Sequence, residues 1–323
     1  MRDEPRVSVV VPLHAQENVE ATVRSALASD LHQLEVLIVD NSSMRRSAEV
    51  AANVPDPRLV TVLVRPGRVS RALNVGIARA RAPYVALLDP DDLIRTDKLS
   101  AAAQALDRHP EAGFAFADFE HIDASGRVTR PSALAGSARF QNLVKLTLED
   151  SWQLIPQVQL ARGLLHENFI GASAVILRKE LLTEIGPFDE STDYGEHLDL
   201  WFRLGHSCNA LYWNRVGHSY RDMGRSSTDT VQACSVDHII VLQRERNRWN
   251  DRSSRRALDR RIARNVASVA YQARRNGQRL RSLAMFAYAF GTSPDVRWLR
   301  GVLGSMFCYP RSRPARLDHA PPT

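Results

Sequence analysis

The first ninety residues of this 323-residue chain alternate between two hydrophobic periodicities, and this alternation limits the fold more than any other feature. Apolar runs of strand length are separated by short segments whose apolar residues recur at helical spacing. The predicted strands cover residues 7–12, 34–40, 59–64 and 84–88, and the predicted helices cover 18–29, 43–53 and 69–81. Such alternation is typical of βαβ units, whose parallel sheet is covered on both faces. Because these crossovers are right-handed, we expect an α/β fold with an open, doubly wound sheet.

Ligands of such sheets bind beyond the carboxyl ends of the strands, so the residues at those ends form the candidate site. Three of the four strand ends carry a carboxylate; the four stretches are 12–17, 40–43, 65–70 and 89–92. The first strand is not followed by the glycine-rich fingerprint of dinucleotide-binding folds, and the sequence has no P-loop lysine motif. We therefore expect neither a dinucleotide site nor a P-loop.

The remainder of the chain contains fewer strand patterns and ends in helices. We predict strands at 112–125 and 169–177, then helices at 178–185, 196–205, 236–249, 257–273 and 279–290. Residues 127–165 are predicted to form loops with one or two short helices between 140 and 152. The pattern divides the chain into residues 1–110, 111–225 and 226–323, and the last part is a C-terminal α-helical appendage.

Arginine is concentrated in that last part. Between residues 242 and 316 the chain has 18 Arg, no Lys and 4 acidic residues, a net charge of +14, and the rest carries −7. Two interpretations stay open: solvated helix faces, or a basic surface for an anionic partner such as membrane lipid head groups. The stretch has no recognisable nucleic-acid-binding motif, so we expect no nucleic-acid partner.

Localisation is predicted from what the sequence lacks. There is no apolar run of about 18 residues, and the N-terminus lacks the basic and then apolar pattern of a signal peptide. We expect a soluble cytoplasmic protein, with the inner face of the cell membrane as a candidate peripheral site. The cysteines are odd in number and far apart, so neither a disulfide framework nor a zinc motif is expected; they are Cys208, Cys234 and Cys308.

Three carboxylates follow the fourth predicted strand within four residues: Asp89, Asp91 and Asp92. They repel one another unless a cation binds, and their hard oxygen atoms suit Mg²⁺ or Mn²⁺, which also take ligands from substrate phosphates. The alternative is a solvated acidic turn in which Asp92 caps the next helix. The position at the end of a βα strand favours the metal site.

Five motifs in this order resemble glycosyltransferase family 2, the nucleotide-sugar transferases with the GT-A fold. They are VSVVVPLHAQE, LEVLIVDNSS, SRALNVGIARARAPYVALLDPDDL, FIGASAVILRKELLTEIGPFDE and GEHLDLWFRL, and they lie between residues 7 and 225. The resemblance implies a mixed GT-A sheet whose residues 1–110 bind the nucleotide sugar and whose residues 111–225 bind the acceptor. It also implies inverting transfer of a sugar from a nucleoside diphosphate sugar to an acceptor hydroxyl, assisted by Mg²⁺ or Mn²⁺.

The resemblance assigns roles in the donor site. Glu17, Asp40 and Asn41 match positions that contact the nucleoside and its base, and Asn41 stands where the family commonly has Asp, so UDP need not be the nucleotide. Arg71 is either a diphosphate partner or a surface arginine. The complete set of expected nucleotide-sugar ligands is Pro12, Glu17, Asp40, Asn41, Arg71, Asn74 and Asp89, and the expected metal ligands are Asp89, Asp91 and Asp92.

The acceptor hydroxyl must lose its proton, and a nearby carboxylate is the usual base. In the family this base comes from a Glu-Asp motif at the start of the helix predicted at 196–205, where this chain has Glu196 and His197. Glu196 or Asp199 could be the base, His197 could itself be the base, or catalysis could be impaired. We favour Glu196 over Asp199, because the N-terminus of a helix can orient its side chain toward the cleft.

Two downstream positions also bear on the site. Tyr220 and Arg221 resemble a motif that continues to a His near the diphosphate or metal, but this chain has Met223 there, and His218 is a candidate substitute. Asp189 lies in a segment that lines the acceptor side in the family.

Two functions remain open from the sequence. The first is a metal-dependent glycosyltransferase acting on a carbohydrate or glycolipid acceptor in cell-surface polysaccharide, glycolipid or cell-wall biosynthesis. The second is a catalytically impaired nucleotide-binding or regulatory protein with the same fold, suggested by His197 and Met223. A nucleotidyltransferase is disfavoured, because residues 13–18 lack the expected glycine-rich, basic loop.

Overall fold

A computed structural model describes residues 4–14, 18–43, 45–222 and 228–307, without the side chains of 228–231 and 307. The predictions for Glu17, Met223 and Cys308 therefore lie outside the described residues. The chain divides into two compact units, one reaching Leu258 and the other beginning at Asp259.

The first unit is built around a sheet of eleven strands. In chain order its elements are β1 (Val7–Leu13), α1 (Val19–Leu27), β2 (Leu34–Asp40), α2 (Ser47–Asn53), β3 (Leu59–Leu63), α3 (Val69–Arg79), β4 (Tyr84–Leu87), β5 (Leu93–Ile94), α4 (Lys98–Arg108), β6 (Ala112–Ile122), β7 (Val128–Arg130), α5 (Ala138–Gln141), β8 (Leu146–Thr147), β9 (Trp152–Ile155), α6 (Gln157–Leu164), β10 (Val175–Arg178), α7 (Lys179–Ile185), α8 (Glu196–Ser207), β11 (Asn209–Arg221) and α9 (Thr228–Arg248).

The strand order explains how two halves of different design share one sheet. The order is β3-β2-β1-β4-β10-β6-β11-β9-β8, with β5 paired to β11 and β7 to β6. Strands β1 to β4 are parallel, β10 is antiparallel to both of its neighbours, and β6 and β11 are parallel. The predicted α/β class with a mixed sheet is confirmed. The carboxyl end of β4 lies in the middle of this order, so loops from both halves meet there.

The first half agrees closely with the sequence pattern, because β1, β2 and β4 are mostly apolar and fully buried. All seven residues of β1 and all seven of β2 are buried. The polar exceptions are paired: Ser8 donates to Glu35 at 2.6 Å, and Arg81 donates to the same carboxylate through its backbone N–H and its Nε, each at 2.8 Å. Hydrogen bonds of this kind offset the cost of burying polar groups.

The second half departs from the sequence prediction in several places, and helix α6 and the short strands β7 and β8 lie where mainly loops were expected. Strand β11, which follows α8, was not predicted. Its polar residues and the shifts in its register with β6 interrupt the period of two. The strand predicted over 169–177 is a 3₁₀ turn, Ala172–Ala174, followed by β10. The short helices expected between 140 and 152 were only partly right, because Trp152 begins β9.

The second unit is helical in the residues described. Most of helix α10 (Arg252–Arg275) belongs to this unit, and α11 (Arg279–Thr292) and α12 (Val296–Phe307) follow it in the chain. The last two helices pack closely: Phe286 lies against Gly301, and the Ser282 and Ser305 hydroxyls are 2.9 Å apart in the core. Across the described ranges, none of the helices is both long enough and apolar enough to span a bilayer.

We expect Gly76→Ala to destabilise the first unit. A Cβ there would lie 2.4 Å from Cγ1 of Val10 and 2.9 Å from Cγ2 of Val39, where α3 packs on β1 and β2. Overpacking of this kind costs about 1–3 kcal/mol. Urea unfolding should show this loss, whereas the control Gly136→Ala, where the nearest atom is 3.7 Å away, should stay within about 0.5 kcal/mol of the unchanged chain. Equal losses in both variants would show that close packing at Gly76 is not the cause.

Candidate active site

The loop after β4 carries the three predicted metal carboxylates, and Ser173 connects it to the second half of the sheet. The backbone N–H of Asp89 donates to Ser173 Oγ at 2.9 Å, and that hydroxyl donates to Asp92 Oδ2 at 2.6 Å. Ser173 lies in the 3₁₀ turn before β10, the strand that pairs with β4. The antiparallel pairing of these strands therefore brings the serine to the loop.

Asp92 is buried, and both of its carboxylate oxygens accept hydrogen bonds from the protein. Oδ2 accepts from Ser173, and Oδ1 accepts from the backbone N–H of Arg221 at 3.0 Å. The Arg221 Nε also donates to the carbonyl of Asp91 at 3.1 Å. The alternative of a solvated turn in which Asp92 caps the next helix is wrong, because α4 begins at Lys98.

Lys98 was missed by the sequence reasoning, although it is one of only three lysines in the chain. It is 1% exposed, and its Nζ donates to the backbone carbonyl of Ser173. Burial lowers the pKa of Lys98, and the charge of Asp92 opposes that shift. Burial and the charge of Asp89 raise the pKa of Asp92. The sequence signal that could have drawn attention to Lys98 is the rarity of lysine in this arginine-rich chain.

Asp89 and Asp91 are the carboxylates that remain for a cation. Burial raises the pKa of both; at Asp89 the charge of His197 opposes this, while Asp91 and Glu196 reinforce it. The described residues contain no group of three His, Cys, Asp or Glu side chains arranged to hold a metal ion by themselves. Two carboxylates nevertheless fit Mg²⁺ or Mn²⁺, which commonly use one or two protein carboxylates together with substrate phosphates.

The N-terminus of α8 presents Glu196 and His197 to this loop. Glu196 Oε1 lies 3.0 Å from His197 Nδ1, and the carboxylate of Asp89 interacts electrostatically with both. Burial lowers the pKa of His197, but Glu196 and Asp89 outweigh it and hold the pKa above its ordinary value. The structure thus brings three of the predicted residues together.

Several buried polar atoms at this point find no hydrogen-bond partner among the described residues. They are Thr192 Oγ1, Glu196 Oε2, His197 Nε2 and Trp201 Nε1. Buried polar atoms in native proteins are nearly always paired, so a cluster of unpaired ones requires an explanation. Of these four, Glu196 and His197 belong to the predicted catalytic residues.

Asp199 is engaged on the flank of α8. Its Oδ2 accepts from Arg203 Nε at 2.8 Å, and the same guanidinium donates to the carbonyls of Ile185, Gly186 and Pro187. Asp199 therefore orients an arginine that holds the turn after α7.

Two of the predicted base-contacting residues lie at the end of β2. Asp40 accepts from the N–H and hydroxyl of Ser42 and from the N–H of Ser47. Burial raises the pKa of Asp40, but these hydrogen bonds outweigh it and hold the pKa below its ordinary value. The Asn41 amide donates to the carbonyls of Gly67 and Arg68, while its buried Oδ1 has no partner in the described part of the chain.

Helix α3 supplies a brace for the segment before α8. Asn74 donates to the carbonyl of Phe188 at 3.0 Å and accepts from the N–H of the same residue at 2.9 Å. Arg68 Nε contacts Asp193 at 2.6 Å. Arg71 is exposed on the same helix, and Pro12 is buried near the end of β1.

Two further predicted residues have partners of their own. His218 is buried, and its Nε2 lies 4.0 Å from Asp92 Oδ2; burial and the charge of Lys98 lower its pKa well below the ordinary value. Asp189 accepts from Ser191 and contacts Arg244 at 2.6 Å.

Comparison with known families agrees with this geometry. The family model described as Glycosyl transferase family 2 matches residues 8–185, which is more than half of the chain. The chain belongs to glycosyltransferase family 2. The matched range contains β1 to β4, the Asp89 loop and Ser173.

Two curated relatives show where similar sequences occur. The chain is 29% identical to the succinoglycan biosynthesis protein ExoO of Rhizobium meliloti (strain 1021) over 189 residues, covering 58% of this chain and 52% of ExoO. It is 26% identical to the O-antigen biosynthesis protein RfbC of Myxococcus xanthus over 249 residues, covering 72% of this chain and 17% of RfbC. The chain thus spans about half of ExoO and a smaller part of RfbC.

Solved structures share the fold. S. aureus TarS 1-349 in complex with UDP-GlcNAc matches with a TM-score of 0.58 and 15% identity, covering 93% of this chain and 84% of TarS 1-349. The same protein in complex with UDP gives a TM-score of 0.53 at 16% identity, covering 93% and 91%. At these identities the match concerns the fold alone, and it confirms the expected GT-A-type architecture.

We expect Ser173→Ala to destabilise the loop that carries Asp89. The change removes the hydroxyl that accepts from the Asp89 N–H and donates to the buried Asp92. Leaving a buried polar group unsatisfied costs about 1–3 kcal/mol, which urea unfolding would measure. In the control, Ser207→Ala removes an exposed hydroxyl that donates to the Arg203 carbonyl, and it should cost less than about 0.5 kcal/mol. Equal unfolding midpoints for the two variants would contradict the bridging role.

Proposed function

We propose that this chain is a glycosyltransferase that moves a sugar from a nucleoside diphosphate sugar to an acceptor hydroxyl with inversion at the anomeric carbon. The observation that carries the proposal is the Glu196–His197 pair, which interacts with Asp89 and leaves Glu196 Oε2 and His197 Nε2 without partners among the described residues. Membership of the family supports the proposal. The position of Asp89 after the carboxyl end of β4, where ligands of such sheets bind, also supports it.

Glu196 is the proposed general base. Its Oε1 is held by His197, so Oε2 is the oxygen left to accept the proton of an acceptor hydroxyl. His197 is a positioning residue that fixes the orientation of this carboxylate. Asp199 is a weaker candidate because its carboxylate already accepts a hydrogen bond from Arg203.

Asp89 and Asp91 are the residues that would hold Mg²⁺ or Mn²⁺ together with the donor diphosphate. When bound, such an ion supplies positive charge that stabilises the departing nucleoside diphosphate. Asp92, whose oxygens are both hydrogen-bonded to the protein, contributes by anchoring the loop to β11.

The donor side of the proposal rests on β2 and on the TarS likeness. TarS 1-349 binds UDP-GlcNAc and UDP, which supports a uridine nucleotide as one donor class. Asn41 Oδ1, which has no partner among the described residues, is an acceptor that an N–H of a nucleobase can satisfy. The names of ExoO and RfbC, from succinoglycan and O-antigen biosynthesis, support a role in assembling cell-surface polysaccharide or a related glycoconjugate.

Glu196→Gln should abolish most of the turnover while nucleotide binding is kept, because the amide cannot accept the acceptor's proton. General-base catalysis is commonly worth a factor of about 10²–10⁴, so a loss of at least about 100-fold is expected. Donor hydrolysis across a panel of nucleotide sugars, with Mn²⁺ and after its chelation, is the measurement. The matched control Asp199→Asn should retain most of the activity.

Two outcomes would contradict this assignment. Full activity of Glu196→Gln would remove Glu196 as the base. No turnover by the unchanged chain with any donor, together with retained UDP binding, would favour the catalytically impaired nucleotide-binding protein instead.

We also propose that α12 rests on an anionic membrane surface. Its exposed apolar residues lie on one side of the helix, and Arg297 and Arg300 lie beside them; the apolar residues are Val296, Leu299, Leu303 and Met306. The net charge of +14 between residues 242 and 316 complements anionic head groups. This combination is typical of helices that lie in the membrane interface.

The chain should sediment with phosphatidylglycerol-containing vesicles, and binding should fall as salt is raised, because head-group attraction is screened. Leu299→Asp combined with Leu303→Asp should remove this binding, since both residues leave water on docking. Val128→Asp, at an exposed apolar site on β7, is the control. Equal binding to phosphatidylcholine vesicles, or self-association that the double variant abolishes, would overturn the membrane proposal.

A further inference from the structure

A cavity of about 330 Å³ lies beside the Asp89 loop, and Asp89 is the one residue that it shares with the proposed base and donor contacts. Its lining includes Asp89 and Asp92, residues of β6 and β11, and residues from the segments before α5 and before β10. We name it the aromatic pocket. Its volume is at the lower end of the range for small-molecule sites, roughly 300–1,000 Å³, so it suits one terminal group of a substrate.

The wall formed by β6 and β11 consists of four aromatic rings. Phe119 and His121 lie on the same face of β6, and they pair in register with His218 and Tyr220 on β11. Phe119 stacks on His218 with centroids 5.0 Å apart, and His121 meets Tyr220 edge-on at 5.2 Å. Both pairs line the pocket, so the bound group meets a continuous aromatic surface.

The polar groups of the pocket favour a neutral ligand over an anionic one. Asp89, Asp92 and Glu167 line it, and Arg130 is the cationic side chain among the lining residues. The Arg130 guanidinium already donates to the carbonyls of Ser132 and Ala133. Burial and the charge of Arg130 lower the pKa of His121, which keeps that ring uncharged near neutral pH. A phosphate or carboxylate would therefore face three carboxyl groups and one arginine that is already hydrogen-bonded.

A second observation points to a ligand in this pocket. His218 is 1% exposed, and its Nδ1 finds no hydrogen-bond partner among the described residues. A hydroxyl group can satisfy a ring nitrogen of either tautomer, because it both donates and accepts. Aromatic faces carry negative partial charge and attract the C–H groups on the face of a sugar ring. Hydroxyls and C–H faces together describe a pyranose.

We propose that the aromatic pocket binds a neutral pyranose at the reacting end of the acceptor, and that His121 and Tyr220 determine its specificity. The inference rests on the proposed glycosyltransferase activity. The sheet order supports the acceptor rather than the donor sugar, because β6 and β11 lie on the far side of β4 from the Asp40 and Asn41 end of β2. Asp89 lines the pocket and interacts electrostatically with Glu196, so this one carboxyl group connects the pocket with the proposed base.

Methyl glycosides of glucose, galactose, mannose and N-acetylglucosamine are the probes for this site. Saturation-transfer NMR with the full chain, in the presence of UDP and Mn²⁺, should detect binding of at least one of them. His121→Ala and Tyr220→Ala should each weaken that probe about tenfold or more, as expected from the loss of one aromatic contact. Tyr220→Phe should restore most of the affinity, because it restores the ring.

The matched control is Tyr288→Ala, which removes a tyrosine of similar exposure, 52% against 42% for Tyr220, from α11. It should leave probe binding as in the unchanged chain. Thermal unfolding of each variant shows whether the fold is kept. Where a glycoside also serves as a transfer acceptor, the pocket variants should raise its KM while the donor KM and the UDP Kd stay within about twofold.

Three results would overturn the proposal. A rise in donor KM with unchanged glycoside binding would place the donor sugar in the pocket. Binding of sn-glycerol 3-phosphate as tight as that of the best glycoside would contradict the prediction that the ligand is neutral. Absence of binding by every glycoside would remove the sugar assignment. Loss of all donor turnover with glycoside binding retained would instead contradict the proposed catalytic function and leave the pocket assignment standing.

Discussion

The hydrogen bonds around Ser173 are the contacts on which the rest of the site depends. Its hydroxyl connects the Asp89 N–H to the carboxylate of Asp92, and its carbonyl accepts from the buried Lys98. Arg221 completes the network by donating to Asp92. Buried charges are tolerated only where they are paired and hydrogen-bonded, so the loop has little freedom to rearrange. The carboxylates after β4 are thus positioned by residues about 80 to 130 places later in the chain.

The second fixed point is the start of α8, and it is braced from both halves of the sheet. Arg203 holds the carbonyls of the turn after α7, and Asn74 on α3 holds Phe188 through two hydrogen bonds. Asn74 and Arg203 thereby support the segment that presents Glu196 and His197, whatever further contacts a substrate makes. One of these braces, Asn74, lies on α3 in the first half of the sheet. Helix α3 therefore also sets the position of the proposed base.

The sequence predicted the first half well because β1 and β2 are buried on both faces, which leaves an uninterrupted apolar run. It predicted the Asp89 loop for the same reason, since the loop follows such a strand. Strand β11 was not recognised, because it is long, polar in places and irregular in register, so its pattern matches no single period. Lys98 and Ser173 were not found either. Their importance comes from a contact across 75 residues, which local periodicity does not contain.

The loop after β4 brings three partly or fully buried carboxyl groups together: Asp89, Asp91 and Asp92. Burial raises the pKa of Asp89 and Asp91, which shows that their charged forms are disfavoured in the protein without a ligand. A cation bound together with a diphosphate relieves that penalty, so binding and stability are linked at this loop. A neutral sugar in the aromatic pocket adds no charge and leaves this balance unchanged. The division of the cleft therefore follows from electrostatics: charged groups of the substrate belong at Asp89, and uncharged ones belong beside β6 and β11.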